Sequence, residues 1–427
     1  MGMTILALLV GVDLVFLIRT IRTQVGHRLV KSRVRAAEIL LLILLVVFGV
    51  LEWSFLYYGI FALLLLQTIL GLTMARRSAR ISRTSKKAVG SFLGSVILHL
   101  FALLPVLIFP PYTPPVVTGS HAVAAAEYVW TDPDRIETFS EDGTNRFVTA
   151  SFWYPEDEGT YPLVVFSHGA FGVPISNLST FTELASNGYV VVSIGHPYHS
   201  FYVPGPDGRP VMADTDFIRS VYAANEMEDG PEQQALVDQW LDVRLADIHY
   251  VMDTLSRRAR IASEDPVFRR IDPEKIGLFG HSLGGAASAE IGRQRPDIDA
   301  VAVLDATMLG ERVGFDGENF ILNESPYPVP LFNLYRQDHY EETRLYGEKY
   351  ENTHASKHAL SSYRAVVRKA GHMSFTDLPL ASPVLGRLLD SGTVDTYYGI
   401  ETTNALVLEF FNYTLKDGPA PPSERTY

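Results

Sequence analysis

Ser282 stands in Gly280-His-Ser-Leu-Gly284, a Gly-x-Ser-x-Gly pattern that marks it as the candidate nucleophile of this chain. The apolar run Ile276, Leu278, Phe279 precedes it, and small residues from Gly285 to Ala289 follow it. That order predicts a buried strand, a strained turn and a helix packed closely on a sheet, with the hydroxyl projecting from the turn. A serine hydroxyl is a weak nucleophile at neutral pH. It needs a base within hydrogen-bond reach and a third group to orient that base. After Ser282 the histidines are His339, His354, His358 and His372. His372 directly follows the apolar run Tyr363–Val367 and is the candidate base. His354 and His358, four apart, read as one exposed helix face, and His281 as structural. Two carboxylates compete for the third role. Asp305 ends the run 300–304, and Asp338 follows the run 329–334. The N–H of Leu283, next after the nucleophile, is expected to face the developing oxyanion.

The elements that must hold these residues follow from hydrophobic periodicity. Continuous apolar runs at 162–166, 189–194, 276–279, 300–304, 329–334 and 363–367 read as strands buried on both faces. Residues 146–154 alternate and read as an outer strand. Leu241, Leu245, Ile248, Met252 and Leu255 recur at helical spacing, 181–186 reads as helical, and 405–415 reads as a closing helix. Strands alternating with helices predict an α/β fold: a mostly parallel sheet flanked by helices. Residues 200–235 break the rhythm and read as an insertion over the sheet, a lid candidate with Phe201, Tyr202, Phe217, Ile218 and Tyr222. His196-Pro-Tyr-His199 lacks a convergent carboxylate and reads as pocket rim, so no metal site is expected.

The chain has 427 residues, no cysteine and a net charge of −12. Absence of cysteine excludes disulfides, thiol nucleophiles and thiolate-bound zinc. The charge is unevenly spread: residues 1–110 hold twelve Lys/Arg against Asp13, Glu38 and Glu52, and the remainder is strongly acidic. An acidic main body argues against a nucleic-acid partner. Apolar runs at 3–18, 39–74 and 91–110 alternate with basic stretches at 19–35 and 76–87. The second run is long enough for two helices turning at Glu52-Trp53-Ser54, so residues 1–110 predict an all-α transmembrane region of about four helices. Residues 111–125 read as a Pro-rich linker and 126–427 as the catalytic domain. The positive-inside rule puts both basic stretches in the cytoplasm and everything beyond Pro110 outside it. A multi-pass cell-membrane protein with an extracytoplasmic domain is therefore expected.

The Ser, acid, His order is that of α/β-hydrolases, and the commoner placement of the acid in that fold favours Asp338. Three segments point more narrowly. Gly280-His-Ser-Leu-Gly-Gly285, Val303-Leu-Asp-Ala-Thr-Met308 and His372-x-x-Phe-x-Asp377 resemble the matching segments of the platelet-activating factor acetylhydrolase (plasma/type II) family. The resemblance implies Ser282, Asp305 and His372 as the triad, with Asp338 the alternative acid. Ser167-His-Gly169 is similar to the family's loop after an early strand and nominates the N–H of Ala170 as the second oxyanion donor. It implies a serine carboxylic-ester hydrolase of short-chain or lipid-derived esters, with no cofactor. An acyltransferase using the same triad and a non-catalytic membrane sensor are the alternatives.

Overall fold

The computed structural model describes residues 2–77, 84–261, 264–419 and 425–427. The chain divides into two compact units, residues 1–113 with 381–385, and residues 114–380 with 386–427.

The first unit is helical: α1 (Gly2–Thr23), α2 (Arg28–Val47), α3 (Phe55–Arg77) and α4 (Ser85–Ile108). Its core takes Leu9 from α1, Leu42 from α2, Ile60 and Leu64 from α3, and Leu103 and Val106 from α4. Among the described residues α1, α3 and α4 are long and apolar enough to cross a bilayer; at 1.5 Å per residue each reaches about 30 Å. α2 fails that test of composition. Arg28, Lys31, Arg33, Arg35 and Glu38 crowd its first half, and it is apolar only from Ile39. The basic stretch 19–35, expected as a loop, is helical except for Gln24–His27. The reason is that its charges are not all solvated: Arg35 is buried against the equally buried Asp13 of α1. The turn between α2 and α3 contains Glu52-Trp53-Ser54, as expected. Of the second basic stretch, residues 78–83, with Arg80 and Arg83, lie outside the described residues.

The second unit opens after an irregular run with β1 (Val123–Ile136), β2 (Asn145–Pro155), β3 (Tyr161–Ser167), α5 (Leu178–Ser186) and β4 (Val190–Gly195). The insertion follows, as the hairpin β5 (Tyr202–Pro204) and β6 (Pro210–Met212) and the helix α6 (Thr215–Glu226). Next come α7 (Pro231–Arg260), α8 (Pro266–Arg269), β7 (Ile271–His281), α9 (Leu283–Gln294) and β8 (Ala300–Leu304). A small hairpin, β9 (Arg312–Phe315) and β10 (Phe320–Leu322), precedes β11 (Leu331–Arg336), α10 (Gln337–Tyr346), α11 (Glu351–His358) and β12 (Ser362–Val367). The chain closes through α12 (Leu378–Ala381), α13 (Pro383–Leu388) and α14 (Thr396–Leu415).

Eight strands form one sheet in the order β1-β2-β4-β3-β7-β8-β11-β12, antiparallel at β1–β2 and β2–β4 and parallel from β4 to β12. Alternate residues serve opposite faces, as strand geometry requires. Leu163 and Val165 pack toward α7 and α9, Val164 and Phe166 toward α5 and α14. β2, expected as the outer strand, lies one place in, with β1 at the edge. β1 buries only Trp130 and Asp132 and opens with the small residues Ala124-Ala-Ala126, which weakens its strand signature.

Candidate active site

The residue before α9 is Ser282, at φ 55° and ψ −130°, between the end of β7 and the first turn of the helix. A side chain is tolerated there only because its neighbours give way. A Cβ on Gly280 would lie 2.2 Å from the Gly284 carbonyl oxygen, and one on Gly284 2.0 Å from that of Ser167. The two glycines of the pattern are thus fixed by close backbone approach. The Ser282 N–H extends the sheet ladder to Leu304 O at 3.1 Å, and Gly285 and Ala286 donate back to Ser282 O. Ser282 itself is half-buried.

His372 opens a short 3-10 turn (His372–Phe375) after β12. Its Nδ1 lies 2.7 Å from Asp305 Oδ2, which leaves Nε2 as the nitrogen available to a nucleophile. Among the ties that hold the turn, two reach the elbow and α5. His281, the residue before the serine, reaches the His372 carbonyl oxygen with Nε2 at 2.9 Å, so the elbow and the histidine loop are fastened together. Burial pushes the His281 imidazole down to about 3, and it is a neutral donor here. Asp377 accepts from Ser179 N–H at 2.6 Å, and Asn177 Nδ2 donates to Phe375 O at 2.6 Å, so the end of the segment is pinned to α5. Burial raises the Asp377 carboxyl to about 6.

Asp305 follows β8 at φ 44°, buried. Its Oδ1 accepts from His339 Nδ1 at 2.8 Å and from the Arg336 N–H at 3.1 Å, which turns Oδ2 toward His372. His339 Nε2 then accepts from Tyr350 OH at 2.8 Å, and Tyr350 OH pairs with Thr307 Oγ1 at 2.9 Å. Burial would raise the Asp305 carboxyl, but the bonds from His339 and His372 outweigh it and hold it well below the usual carboxylate range. Asp338 is exposed in the first turn of α10. The structure brings Asp305 to His372.

The loop after β3, Ser167 to Gly172, lies against the elbow; a Cβ on Gly169 would stand 3.1 Å from Ser282 Cβ. Arg244 of α7, fully buried, grips this loop from behind. Its Nη1 donates to His168 O and its Nη2 to Gly169 O at 3.2 Å. Every peptide described is trans, so a carbonyl held by Arg244 turns the N–H of the same peptide the opposite way. The N–H groups of Gly169 and Ala170 therefore point away from the guanidinium. Ala170 N–H has no acceptor among the described residues, and Leu283, first in α9, has an N–H with no partner inside the helix. Burial pushes Arg244 down to about 9, still cationic at neutral pH. One turn on, Asp247 compensates: Arg146 Nη2 at 2.7 Å, Arg135 Nη2 at 2.7 Å and His196 Nδ1 at 3.0 Å converge on it. His196 passes the contact forward through Nε2 to Ser167 Oγ at 3.1 Å. Arg244→Met should lower kcat by about 10-fold to 10²-fold, since an oxyanion donor is worth up to ~10³. KM should stay within about twofold and Arg244→Lys should recover part of the rate. A proportional rise in KM with kcat intact would refute a positioning role.

Several expectations are corrected here. His196 and His199 are core residues, not pocket rim: both are buried, and His199 stacks on Phe217 at 3.7 Å with planes 2° apart. His354 is buried and bonded to the Asn323 carbonyl rather than on an exposed face. Phe217 is also buried, against Phe171 of the loop after β3, while Phe201, Tyr202 and Tyr222 of the insertion stay exposed. No group of three or more His, Asp and Glu able to hold a metal occurs among the described residues. Sequence reading passed over His339 and Arg244. Both left a signal: His339 follows the end of β11, and Arg244 and Asp247 interrupt the apolar face carrying Leu241, Leu245 and Ile248.

Residues 145–204 and 267–417 match the family described as platelet-activating factor acetylhydrolase, isoform II. The unmatched residues between them hold the insertion after β5 and all of α7, including Arg244. Cutinase est2 of Thermobifida alba is 26% identical over 168 residues, 39% of this chain and 42% of that protein. Cutinase cut1 of Thermobifida fusca is 26% identical over the same length and 40% of its chain. The chain thus spans two fifths to a half of the length of the curated relatives it matches. A ferulic acid esterase from Streptomyces cinnamoneus superposes with a TM-score of 0.54 at 21% identity, over 72% of this chain and 94% of that one. That likeness is one of fold: the second unit has an α/β-hydrolase fold.

Proposed function

We propose that this chain, an α/β-hydrolase similar to the isoform II platelet-activating factor acetylhydrolases, is a membrane-anchored serine carboxylic-ester hydrolase. The observation that carries the reading is the pairing of a strained, half-buried serine elbow with a histidine held at 2.7 Å by a buried carboxylate. In this reading Ser282 Oγ attacks the ester carbonyl while His372 Nε2 takes its proton. The oxyanion collects the N–H groups of Ala170 and Leu283. Asp305 stabilises the imidazolium, which then protonates the leaving alcohol, and water releases the acyl group by the reverse sequence. Attack by an alcohol in place of water would make the same triad an acyltransferase; product analysis with added alcohol separates the two.

The membrane argues for hydrophobic or lipid-derived esters. The irregular run 109–122 reaches at most about 50 Å, at ~3.6 Å per fully extended residue, which keeps the catalytic unit close to lipid. Phe201, Tyr202 and Tyr222, 57%, 46% and 65% exposed, supply an apolar surface on the insertion. Phe201→Ser with Tyr222→Ser should cut turnover of vesicle-borne esters several-fold and leave a soluble acetate ester unchanged. Equal loss on both substrates would remove the lipid-facing role.

Topology turns on α2. Three of its charges, Lys31, Arg35 and Glu38, are paired within the helical unit, and counting it as a fourth span puts the catalytic unit outside the cytoplasm, with the basic stretches inside. Because the chain lacks cysteine, single substitutions report cleanly. Glu52→Cys and Glu141→Cys should react with an impermeant maleimide in intact cells, and Gln24→Cys only after permeabilisation. A protected Glu141→Cys would mean three crossings and a cytoplasmic catalytic unit.

A further inference from the structure

The helical unit has an open-mouthed cavity of about 180 Å³ between α1, α2 and α4, lined by Phe16, Leu17 and Phe92 together with Arg28, Lys31 and Asp13. The charges behind this wall pair off. Asp13 accepts from Lys31 Nζ at 2.7 Å, from Ser95 Oγ at 2.6 Å and from the Arg35 guanidinium, and Arg35 also holds Glu38 at 2.7 Å. Arg28 is left over. It is half-buried in the cavity wall and has no carboxylate within ion-pair reach among the described residues. Arg28, Lys31 and Arg35 stand against Asp13 and Glu38, and one positive charge remains.

A residual cation at the edge of a low-dielectric layer draws an anion, and basic pockets between membrane helices hold phosphate headgroups. We propose that this cavity binds one phosphate-bearing anion, namely the phosphodiester headgroup of an anionic membrane phospholipid. One phosphodiester carries one negative charge and closes the count; a choline headgroup, being zwitterionic, does not. Arg28 presents a planar fork suited to two phosphate oxygens, and the aromatic wall accommodates the first carbons of the acyl chains. The inference rests on the helices lying in a membrane, which the maleimide labelling tests separately, and is independent of the triad.

The test uses the full-length protein in nonionic detergent, offered phosphatidylglycerol, phosphatidylcholine or inorganic phosphate and weighed intact by native mass spectrometry. Wild type should retain one phosphatidylglycerol per chain and no phosphatidylcholine. Arg28→Gln should lower retention roughly fivefold, and Arg28→Lys should restore most of it. Arg33→Gln removes the same charge from an exposed position of the same helix and should change nothing. Equal loss in the Arg28 and Arg33 variants would reveal diffuse surface attraction and overturn the site, as would equal retention of phosphatidylcholine. Stabilisation of wild type but not Arg28→Gln by inorganic phosphate, with no lipid retained, would overturn the lipid and leave a free anion as the occupant.

Discussion

Ser282→Ala and His372→Ala should each lower kcat for a soluble ester by about 10⁴-fold to 10⁶-fold, because triad members act as a unit and loss of one disables the others. Neither change should unfold the protein. Ser282 sits at positive φ with a Cβ already present, so alanine adds no backbone strain. The His372 side chain is 31% exposed and lies at a loop surface rather than in the core. Melting temperatures close to wild type are therefore expected alongside the loss of rate. A folded Ser282→Ala variant retaining a tenth of the wild-type rate would remove this serine from the chemistry.

Asp305→Asn should cost about 10⁴ in kcat, whereas Asp338→Asn should stay within about twofold of wild type. Two imidazoles converge on the carboxylate, His372 at Oδ2 and His339 at Oδ1. An amide places a donor where one of those Nδ1–H groups needs an acceptor, so it drives His372 toward the tautomer that cannot accept the serine proton. The backbone gives no reason for a folding defect, since asparagine tolerates the φ of 44° found at this position. Asp338 is exposed at the start of α10 and makes no contact with His372. Reversal of the two effects would move the acid to the end of β11.

What the sequence makes legible is governed by how local the cause is. The elbow is a clash-limited turn of a few residues, so Gly280 and Gly284 announce it. The parallel strands are buried on both faces and stand out as apolar runs. The acid is not a local property. β8 and β11 both end beside an aspartate, and only the twist of Asp305 toward β12 distinguishes them. Arg244 and Asp247 lie at helical spacing with core leucines, yet their partners come from β1, β2 and the loops after β3 and β4, more than forty residues away. α2 escapes a count of apolar residues for a similar reason, because Arg35 is neutralised by a carboxylate on a different helix. Phe217 and Tyr222 look alike in the sequence; a stacked His199 buries the first and nothing covers the second.

Covalent labelling with a fluorophosphonate tests the central claim most directly. The reagent reacts only with a serine that a neighbouring base has activated, and its phosphonyl group settles where an ester's tetrahedral carbon would. The folded wild-type protein should gain one phosphonyl adduct, located by peptide mass spectrometry on Ser282, and His372→Ala should not react on the same timescale. A folded, monodisperse protein that gains no adduct, or gains it on another serine with the Ser282 peptide unmodified, would contradict the account.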